Sequence, residues 1–357
     1  MTVAVVGAGI TGLSAAWELA RSGIDVMVLD AERRPGGVII TERRDGFVVE
    51  GGPDGFLAAE PDIQELAREI GVGDRLVDQS VQGSSLWTGK RLKPLAEGRA
   101  AELLGIQAPA EADLSRGFRS FASGMAEIVE GLVAKLGDGG GGPRIRRTQG
   151  VTGLAPAARG WRLSITGGSS LDVEAVVLAV PVWVTSRLLA SVGVEAARSL
   201  GDVVYSPSIT VSLAYRADQV PAALEGAGFV SAVEAGESVR ACTYAWLKYP
   251  GRAPNRFALL RAFLGPTDGD PGAVAHAELG RILGLHGEPL WTRAFEWPRG
   301  LPRYRRGHSE RVADVRNRLA RLAPLAIAGA GLDGAGVSAC VRSGREAGRQ
   351  VARRLGG

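Results

Sequence analysis

The sequence predicts an α/β protein in which a doubly wound parallel-sheet domain is joined to a second, mixed-sheet domain. A β-branched run over residues 3–6 leads directly into a glycine-rich turn and then into a helical pattern over 13–22. A second strand over 25–29 ends at an acidic residue. The chain closes with a strand over 325–328, another glycine turn and a basic helix over 337–355. Strands that alternate with helices form parallel sheets with helices on their faces.

The turn after the first strand has the glycine spacing of a dinucleotide-binding fingerprint. Gly7 allows the tight turn, Gly9 lets the backbone approach a pyrophosphate, and Gly12 lets the helix pack closely. The helix N-terminus directs a positive dipole end toward the phosphates. Asp30 follows the second strand, at the position where a carboxylate can accept hydrogen bonds from the ribose hydroxyls of a dinucleotide. The pattern indicates a dinucleotide site, and the alternative is a glycine turn in an unrelated α/β unit.

Length and residue usage narrow the class of protein. The 357 residues are enough for two domains, and the net charge of +4 comes mainly from arginine without an aromatic-plus-basic stripe. We therefore expect no nucleic-acid partner. Cys242 and Cys340 form no CxxC pair, and His276, His286 and His308 lack metal-ligand spacing, so we expect no metal site. This thiol usage suits the cytoplasm, and no stretch predicts a transmembrane segment.

Further elements follow in order along the chain. Periodicity and end signals predict helices over 61–71, 123–136, 273–284 and 309–322. Alternating or continuous apolar runs predict strands over 47–50, 161–165, 171–173, 174–181, 210–215, 239–246 and 257–264, and a hairpin over 86–92. Residues 96–116 show little periodicity.

Several of these motifs together resemble a known family. Four glycine-containing segments resemble those of glutathione-reductase-type flavoproteins of the amine oxidase group. They are 7–12, 34–37, 52–55 and 329–337. The segments that resemble the protoporphyrinogen/coproporphyrinogen oxidase family more specifically are 241–243, 249–254, 259–263, 297–308 and 329–340. The resemblance covers residues 1–95 and 117–357.

The resemblance implies a glutathione-reductase-type doubly wound FAD domain and a mixed-sheet substrate domain. Since the fingerprint and the closing glycine motif lie at opposite ends of the chain, the FAD domain is expected to be discontinuous. We expect it to comprise 1–75, 117–182 and 305–357, and the substrate domain to comprise 76–116 and 183–304.

The family also implies which residues surround a non-covalently bound FAD. The implied contacts are Gly7, Ala8, Gly9, Ile10, Thr11, Gly12, Asp30, Ala31, Arg34, Gly36, Gly37, Gly52, Pro53, Asp54, Gly55, Val151, Ala179, Pro181, Trp297, Gly329, Gly331, Gly336 and Val337. Gly336 and Val337 would lie at a helix N-terminus, whose dipole can stabilise negative charge on the reduced flavin. The flavin supplies the chemistry, so no catalytic acid or base is assigned to the protein.

The sequence departs from the family pattern in three places. Asp30 replaces the usual Glu, which shortens the reach to the ribose. Gly55 stands where the family has Ser, and 338–339 replace Pro-Asp, which we expect to loosen the flavin's surroundings. Only 96–116 occupy the place of a long helical segment that walls the substrate pocket. We therefore expect a more open flavin face.

The resemblance implies that FAD oxidises a porphyrinogen, either coproporphyrinogen III or protoporphyrinogen IX, to the porphyrin in heme biosynthesis, with O2 as the acceptor. If either is turned over, we expect faster turnover of coproporphyrinogen, which carries more carboxylates and is more soluble. The motifs over 241–308 favour this function, whereas the shortened segment favours the two alternatives that follow. Two other functions stay open. One is a FAD-binding protein without porphyrinogen turnover, and the other is an amine oxidase-like flavin oxidase acting on a smaller substrate.

Substrate-binding residues can be named only as candidates. Arg91, Arg252 and Arg261 could bind the substrate's carboxylates, and the alternative for each is a structural or solvated arginine. The candidates for an aromatic pocket are Trp246, Tyr244 and Tyr249, with core packing as the alternative.

Overall fold

A computed structural model describes residues 2–96, 99–103, 116–139 and 142–356 of the chain. The α-helices are α1 (Ile10–Arg21), α2 (Asp62–Ile70), α3 (Arg99–Leu103), α4 (Ala126–Leu136), α5 (Val182–Ala190), α6 (Ala245–Lys248), α7 (Pro271–Leu283), α8 (His308–Leu319), α9 (Ala330–Asp333) and α10 (Val337–Gly356). The strands are β1 (Thr2–Val6), β2 (Asp25–Leu29), β3 (Thr41–Arg44), β4 (Phe47–Glu50), β5 (Phe56–Leu57), β6 (Leu76–Asp78), β7 (Ser84–Trp87), β8 (Leu92–Leu95), β9 (Phe118–Phe121), β10 (Asp138–Gly139), β11 (Gly142–Pro143), β12 (Ile145–Arg146), β13 (Val151–Pro156), β14 (Trp161–Ile165), β15 (Ser170–Val173), β16 (Ala175–Leu178), β17 (Val204–Arg216), β18 (Gly228–Ser231), β19 (Val239–Tyr244), β20 (Phe257–Leu264), β21 (Trp291–Arg303) and β22 (Leu325–Ile327).

Five strands form a parallel sheet in the order β12-β2-β1-β16-β22. Apolar side chains of α1, α2, α4 and α10 cover one face, and those of α5, α8 and the antiparallel β13-β14-β15 sheet cover the other. The strand β16 is buried along its whole length, as its continuous apolar run predicts. Such strands need cover on both faces, because they are apolar on both sides. The doubly wound part of the predicted fold is confirmed.

Seven strands form a second, mixed sheet in the order β21-β17-β20-β19-β18-β7-β8. Its neighbouring strands are antiparallel, except that β18 runs parallel to β7. Helix α7 packs its apolar residues onto this sheet and closes a separate hydrophobic core. The predicted combination of a doubly wound sheet with a mixed sheet is therefore also confirmed.

Several element boundaries differ from the expectation, and two of the differences have a visible local reason. Helix α4 begins at Ala126 rather than at 123, because Gly124 adopts φ +105 and Glu50 accepts the N–H of Met125. The strand predicted over 239–246 ends at Tyr244, where the chain enters α6.

The segment between β8 and β9 is described only in part. The prediction of low periodicity over 96–116 falls mostly outside the described residues. The described part of this segment includes α3. Among the helices that the structure describes, none has the length and apolar character to cross a membrane.

Candidate functional site

The glycines of the turn between β1 and α1 differ in the space around them. Gly7 has φ +106, and a Cβ there would collide with Ala179 O. A Cβ on Gly12 would collide with Gly7 O. A Cβ on Gly9, by contrast, meets no heavy atom within 4 Å, and Gly9 lines a large cavity. Gly7 and Gly12 thus serve close packing, whereas the open side of Gly9 leaves room for a ligand at the N-terminus of α1.

The loops next to this turn are tied to it by hydrogen bonds. The Asp30 carboxylate, at the end of β2, accepts the backbone N–H of Ala8. Gly36 N donates to Ala8 O at 2.7 Å, and this hydrogen bond brings the second glycine pair beside the first turn. The Arg34 guanidinium donates to the carbonyl of Gly37 and so holds that pair in place. Asp30 and Arg34 therefore organise the walls of the nucleotide end of the site.

The turn after β4 is held by side chains from the mixed sheet. Trp297 Nε1 donates to Gly51 O at 2.8 Å, and Thr210 Oγ1 donates to the same oxygen at 3.1 Å. The Arg261 guanidinium donates to Gly52 O. A Cβ on Gly52 would collide with a backbone carbonyl, so this turn requires glycine. The turn after the β3-β4 hairpin is thus tied to the mixed sheet.

A small ion-pair cluster lies at the same junction. Lys248 Nζ is 3.0 Å from Asp54 Oδ2, and Arg261 Nη1 is 3.9 Å from Asp54 Oδ1. Burial alone would raise the pKa of Asp54, but the two cations outweigh it and lower the pKa to about 2. Asp54 is therefore ionised at neutral pH and is a very weak base.

The closing glycine motif reaches the cavity from the end of the chain. Cys340 N donates to Gly336 O at 2.9 Å, which makes Gly336 the first residue of α10's hydrogen-bonding pattern. A Cβ on Gly336 would meet no heavy atom within 4 Å. Gly331, in contrast, packs against Tyr205 so closely that its Cβ would lie 2.6 Å from the phenol oxygen. The N-terminus of α10 is therefore open on one side, as that of α1 is at Gly9.

The cavity measures about 1030 Å³, at the top of the ~300–1,000 Å³ range of small-molecule sites, and lies between the two sheets. The sequence-predicted residues that line it are Gly9, Ile10, Thr11, Gly36, Gly52, Pro53, Asp54, Ala179, Pro181, Trp297, Gly329, Gly331 and Val337. The predicted residues outside the described lining are Gly7, Ala8, Gly12, Asp30, Ala31, Arg34, Gly37, Gly55, Val151 and Gly336. The structure thus gathers most of the glycine motifs around one space.

Of the three candidate arginines, only Arg261 lines the cavity. Arg91 lies exposed in the turn between β7 and β8. Arg252 is buried, 3.5 Å from Glu50, and donates to Ser120 Oγ at 2.6 Å. The structural or solvated alternative therefore holds for Arg91 and Arg252.

The three candidates for an aromatic pocket belong to the core instead. Tyr244 and Tyr249 are 1% exposed, and Trp246 packs against the core under the mixed sheet. None of the three belongs to the described lining of the cavity, so the core alternative is correct for them.

Gly55 does not loosen the site either. Its missing Cβ position is occupied by the Tyr249 hydroxyl and lies 2.6 Å from Arg119 O. The expectation that glycine at this position opens the flavin's surroundings is therefore wrong, since the phenol fills the space.

Sequence reasoning missed several lining residues on the mixed sheet and on α5 and α6. They are Trp183, Tyr205, Ser206, Ser208, Phe229, Arg240, Lys248, Phe263, Arg299 and Arg303. The alternation of Ser206, Ser208 and Thr210 along β17 is a period-two signal that would have placed these three on one face. Arg240 and Arg299 carried no comparable signal in a chain rich in arginine.

The lining contains little that could act as an acid or base. Its described residues include no histidine, and Asp54 is their only carboxylate. Burial raises the pKa of the Cys340 thiol, which also lines the cavity, to about 11. In the described part of the chain, no group of three or more His, Cys, Asp and Glu could hold a metal ion. The site is therefore suited to binding and orienting a reactive cofactor.

The fold and the site define a dinucleotide-binding α/β flavoprotein, and the residues fit FAD. The open sides of Gly9 and Gly336 leave space at two helix N-termini where anionic groups are stabilised. A family model described as "NAD(P)-binding Rossmann-like domain" matches residues 5–70, and one described as "Flavin containing amine oxidoreductase" matches residues 96–352. The chain belongs to the family of flavin-containing amine oxidoreductases and is an FAD-dependent oxidoreductase.

Curated relatives and a solved structure match nearly the whole chain. A coproporphyrinogen III oxidase of Propionibacterium freudenreichii is 26% identical over 97% of this chain and 90% of that protein. A coproporphyrinogen III oxidase of Bacillus subtilis is 23% identical over 97% of this chain and 96% of that protein. A structure from Exiguobacterium, provisionally assigned as a protoporphyrinogen oxidase, aligns with a TM-score of 0.83 and 23% identity over 100% of this chain and 99% of that chain. The alignments with the first two relatives span 485 and 459 positions, so this 357-residue chain contains large gaps relative to them.

Proposed function

We propose that the protein uses FAD to oxidise a porphyrinogen, preferably coproporphyrinogen III, to the porphyrin, with O2 as the final acceptor. The observation that carries the proposal is the large cavity into which the nucleotide-binding glycine turns and one face of the mixed sheet both open. The names of the curated relatives support the same substrate class.

The protein's own groups bind and orient in this proposal. When bound, FAD would supply the redox chemistry, a series of two-electron oxidations of the substrate whose electrons and protons would end on O2 as hydrogen peroxide. Trp297, Thr210 and Arg261 hold the turn at Gly51 and Gly52 against the mixed sheet and so fix one wall of the flavin site. Asp54, with a pKa of about 2, is too weak a base to remove substrate protons at neutral pH.

The same proposal includes the FAD contacts implied by the family. It also includes the division into an FAD domain of 1–75, 117–182 and 305–357 and a substrate domain of 76–116 and 183–304. The apolar contacts of α5 with the core of the parallel sheet suggest moving the second boundary beyond this helix. We also propose a cytoplasmic location, which both free cysteines support.

Non-covalent binding of FAD is also part of the proposal. Burial raises the pKa of Cys340 to about 11, so this cavity thiol is protonated at neutral pH and is a poor nucleophile. Acid precipitation should therefore release the flavin into the supernatant, whereas colour that stays in the washed pellet would contradict the proposal.

The charge of the cavity argues against amine substrates. An alkylammonium ion would enter a lining whose described residues include five basic side chains and one acidic side chain, Asp54. That carboxylate already contacts Lys248 and Arg261. Like charges disfavour binding of a cation here.

Anaerobic reduction of the purified holoprotein tests the proposal against its alternatives. Coproporphyrinogen III, protoporphyrinogen IX and simple amines are added separately, and flavin absorbance is followed. We expect bleaching by the porphyrinogens, faster with coproporphyrinogen, and none by amines. Bleaching by amines alone would favour a smaller-substrate oxidase, and no bleaching by any of them would favour a FAD-binding protein without this turnover.

A further inference from the structure

The charged side chains that line the cavity are strongly unbalanced. The basic residues of the described lining are Arg240, Lys248, Arg261, Arg299 and Arg303, and the acidic residue is Asp54. Two of the cations are already engaged by this carboxylate, Lys248 at 3.0 Å and Arg261 at 3.9 Å. The described lining therefore carries a net positive charge, whose complement is an anionic ligand.

Arg240 and Arg299 are the cations best placed to meet such a ligand. Both are exposed, and neither forms an ion pair with a residue in the described ranges 2–96, 99–103, 116–139 and 142–356. The guanidinium of Arg299 lies 4.4 Å from the ring centroid of Trp183, which orients it without neutralising its charge. Their donors are thus available to carboxylates of a bound molecule.

The two arginines lie on strands that are not neighbours. Arg240 is on β19 and Arg299 is on β21, and β20 and β17 lie between them. Three spacings of ~4.8 Å between adjacent strands put the two strands about 14 Å apart. One carboxylate cannot reach across this distance, whereas a rigid, wide molecule with acid groups on two sides can.

The sheet face between these arginines combines aromatic rings with hydroxyls, because Ser208 and Thr210 of β17 also line the cavity. Phe263 lies on the intervening strand β20, and Ala241 and Trp297 lie on the strands that carry the arginines. Phe263 and Trp297 offer flat aromatic surfaces, which bind the face of a large ring. The lining therefore combines aromatic rings and hydroxyls with cations on two of its sides.

We propose that Arg240 and Arg299 bind carboxylates on two sides of a wide polycarboxylate macrocycle and so select a tetracarboxylate over a dicarboxylate ring. The inference rests on the proposed function and adds the residues that discriminate between its two substrates. Coproporphyrin-type rings carry carboxylates around the periphery and reach both arginines. Protoporphyrin-type rings carry both carboxylates on one edge and reach one arginine at most.

Equilibrium binding of the oxidised porphyrins tests this without turnover. Coproporphyrin III and protoporphyrin IX are titrated into FAD-loaded wild type, Arg240→Gln, Arg299→Gln and their lysine counterparts at fixed ionic strength. We expect each glutamine variant to weaken coproporphyrin III binding about three- to tenfold, and the lysine variants to retain most of the affinity. Protoporphyrin IX binding should weaken in one glutamine variant at most. Arg353→Gln, which removes an exposed arginine on α10, should change neither affinity.

The outcomes separate this inference from the proposed function. Equal weakening of both porphyrins in both glutamine variants, or no weakening of coproporphyrin III, would overturn the role of the two arginines. Turnover of coproporphyrinogen III by the wild type, measured separately, decides the proposed function. FAD content and thermal midpoint are measured for every variant, so a misfolded variant is recognised and replaced by its lysine counterpart.

Discussion

Lys248 Nζ lies 3.0 Å from Asp54 Oδ2, and this contact joins the turn after β4 to helix α6 of the mixed-sheet half of the molecule. Arg261 on β20 approaches the same carboxylate at 3.9 Å. Lys248 is 8% exposed and Arg261 is 3% exposed, so both cations depend on protein groups rather than on water for their stabilisation. One carboxylate therefore compensates two nearly buried positive charges.

Asp54→Asn should destabilise the protein by about 3–5 kcal/mol, because it leaves Lys248 and Arg261 buried without a counter-charge. Urea unfolding monitored by circular dichroism measures the change in the free energy of unfolding. Asp172→Asn is the matched control, since it breaks an exposed pair with Arg162 and should leave the unfolding midpoint unchanged. Equal effects of the two substitutions would contradict the role given to the Asp54 cluster.

The same carboxylate should make stability depend on acid pH. The pKa of Asp54 is about 2 in the folded protein, below its ordinary value of 3.8, so its contribution is full above pH ~4 and is lost as the pH falls toward 2. We expect the stability difference between wild type and Asp54→Asn to shrink by about 2 kcal/mol between pH 6 and pH 2.5. Urea titrations across this range test it. Parallel pH profiles of the two proteins would show that the carboxylate is not stabilised in the fold.

Gly9→Val should abolish FAD binding while the protein still folds. A side chain at Gly9 enters open space in the cavity, at the N-terminus of α1 where the pyrophosphate would approach. The flavin content of the purified variant is measured, and its thermal midpoint is compared with that of FAD-stripped wild type, since bound cofactor itself raises stability. Full FAD occupancy in Gly9→Val would place the pyrophosphate elsewhere.

Gly12→Ala is the contrasting control for Gly9→Val. Its Cβ would collide with Gly7 O, a backbone atom that cannot move aside cheaply. We expect this variant to lose stability by about 1–3 kcal/mol or more even without cofactor. Unchanged stability of the apoprotein would show that the close contact is relieved by movement of the turn.

Much of the fold could be predicted from local sequence. A β-branched run predicts β1, and the glycine turn that follows it predicts the start of α1. Gly7 and Gly12 are required by close packing of the backbone, whereas Gly9 leaves open space for a ligand. The strand β21 was missed, because Pro298 and Pro302 argue against a strand. They are tolerated because β21 lies at the edge of the sheet, a position that appears only after the strands are assembled.

The cavity's charged residues depend on long-range pairing. Arg261 faces Gly52 because β20 pairs with β17 and β19, and no local pattern distinguishes it from Arg252, which turns into a buried pair with Glu50. Tyr249 was assigned to a pocket because of its type, yet the backbone at α6 directs it toward Gly55. Such assignments require the register of distant strands.

The contact between Gly55 and Tyr249 gives the last prediction. Ser is the residue that the family has at this position, yet here a Cβ would collide with the Tyr249 hydroxyl and lie 2.6 Å from Arg119 O. Gly55→Ser should therefore destabilise the protein by about 1–3 kcal/mol through overpacking. Tyr249→Phe removes the colliding oxygen at the cost of a long hydrogen bond to Arg119 O, 3.4 Å in the native protein.

A double-mutant cycle with urea unfolding separates the two contacts. We expect Gly55→Ser to cost clearly less in the Tyr249→Phe background than in the wild type, with a residual cost from Arg119 O, which neither substitution removes. Additive effects would mean that the hydroxyl is not the obstacle, and that a serine at 55 is excluded by the backbone of β9 alone. A coupling energy of about 0.5 kcal/mol or more between the two substitutions would show that the serine side chain and the Tyr249 hydroxyl are in direct contact.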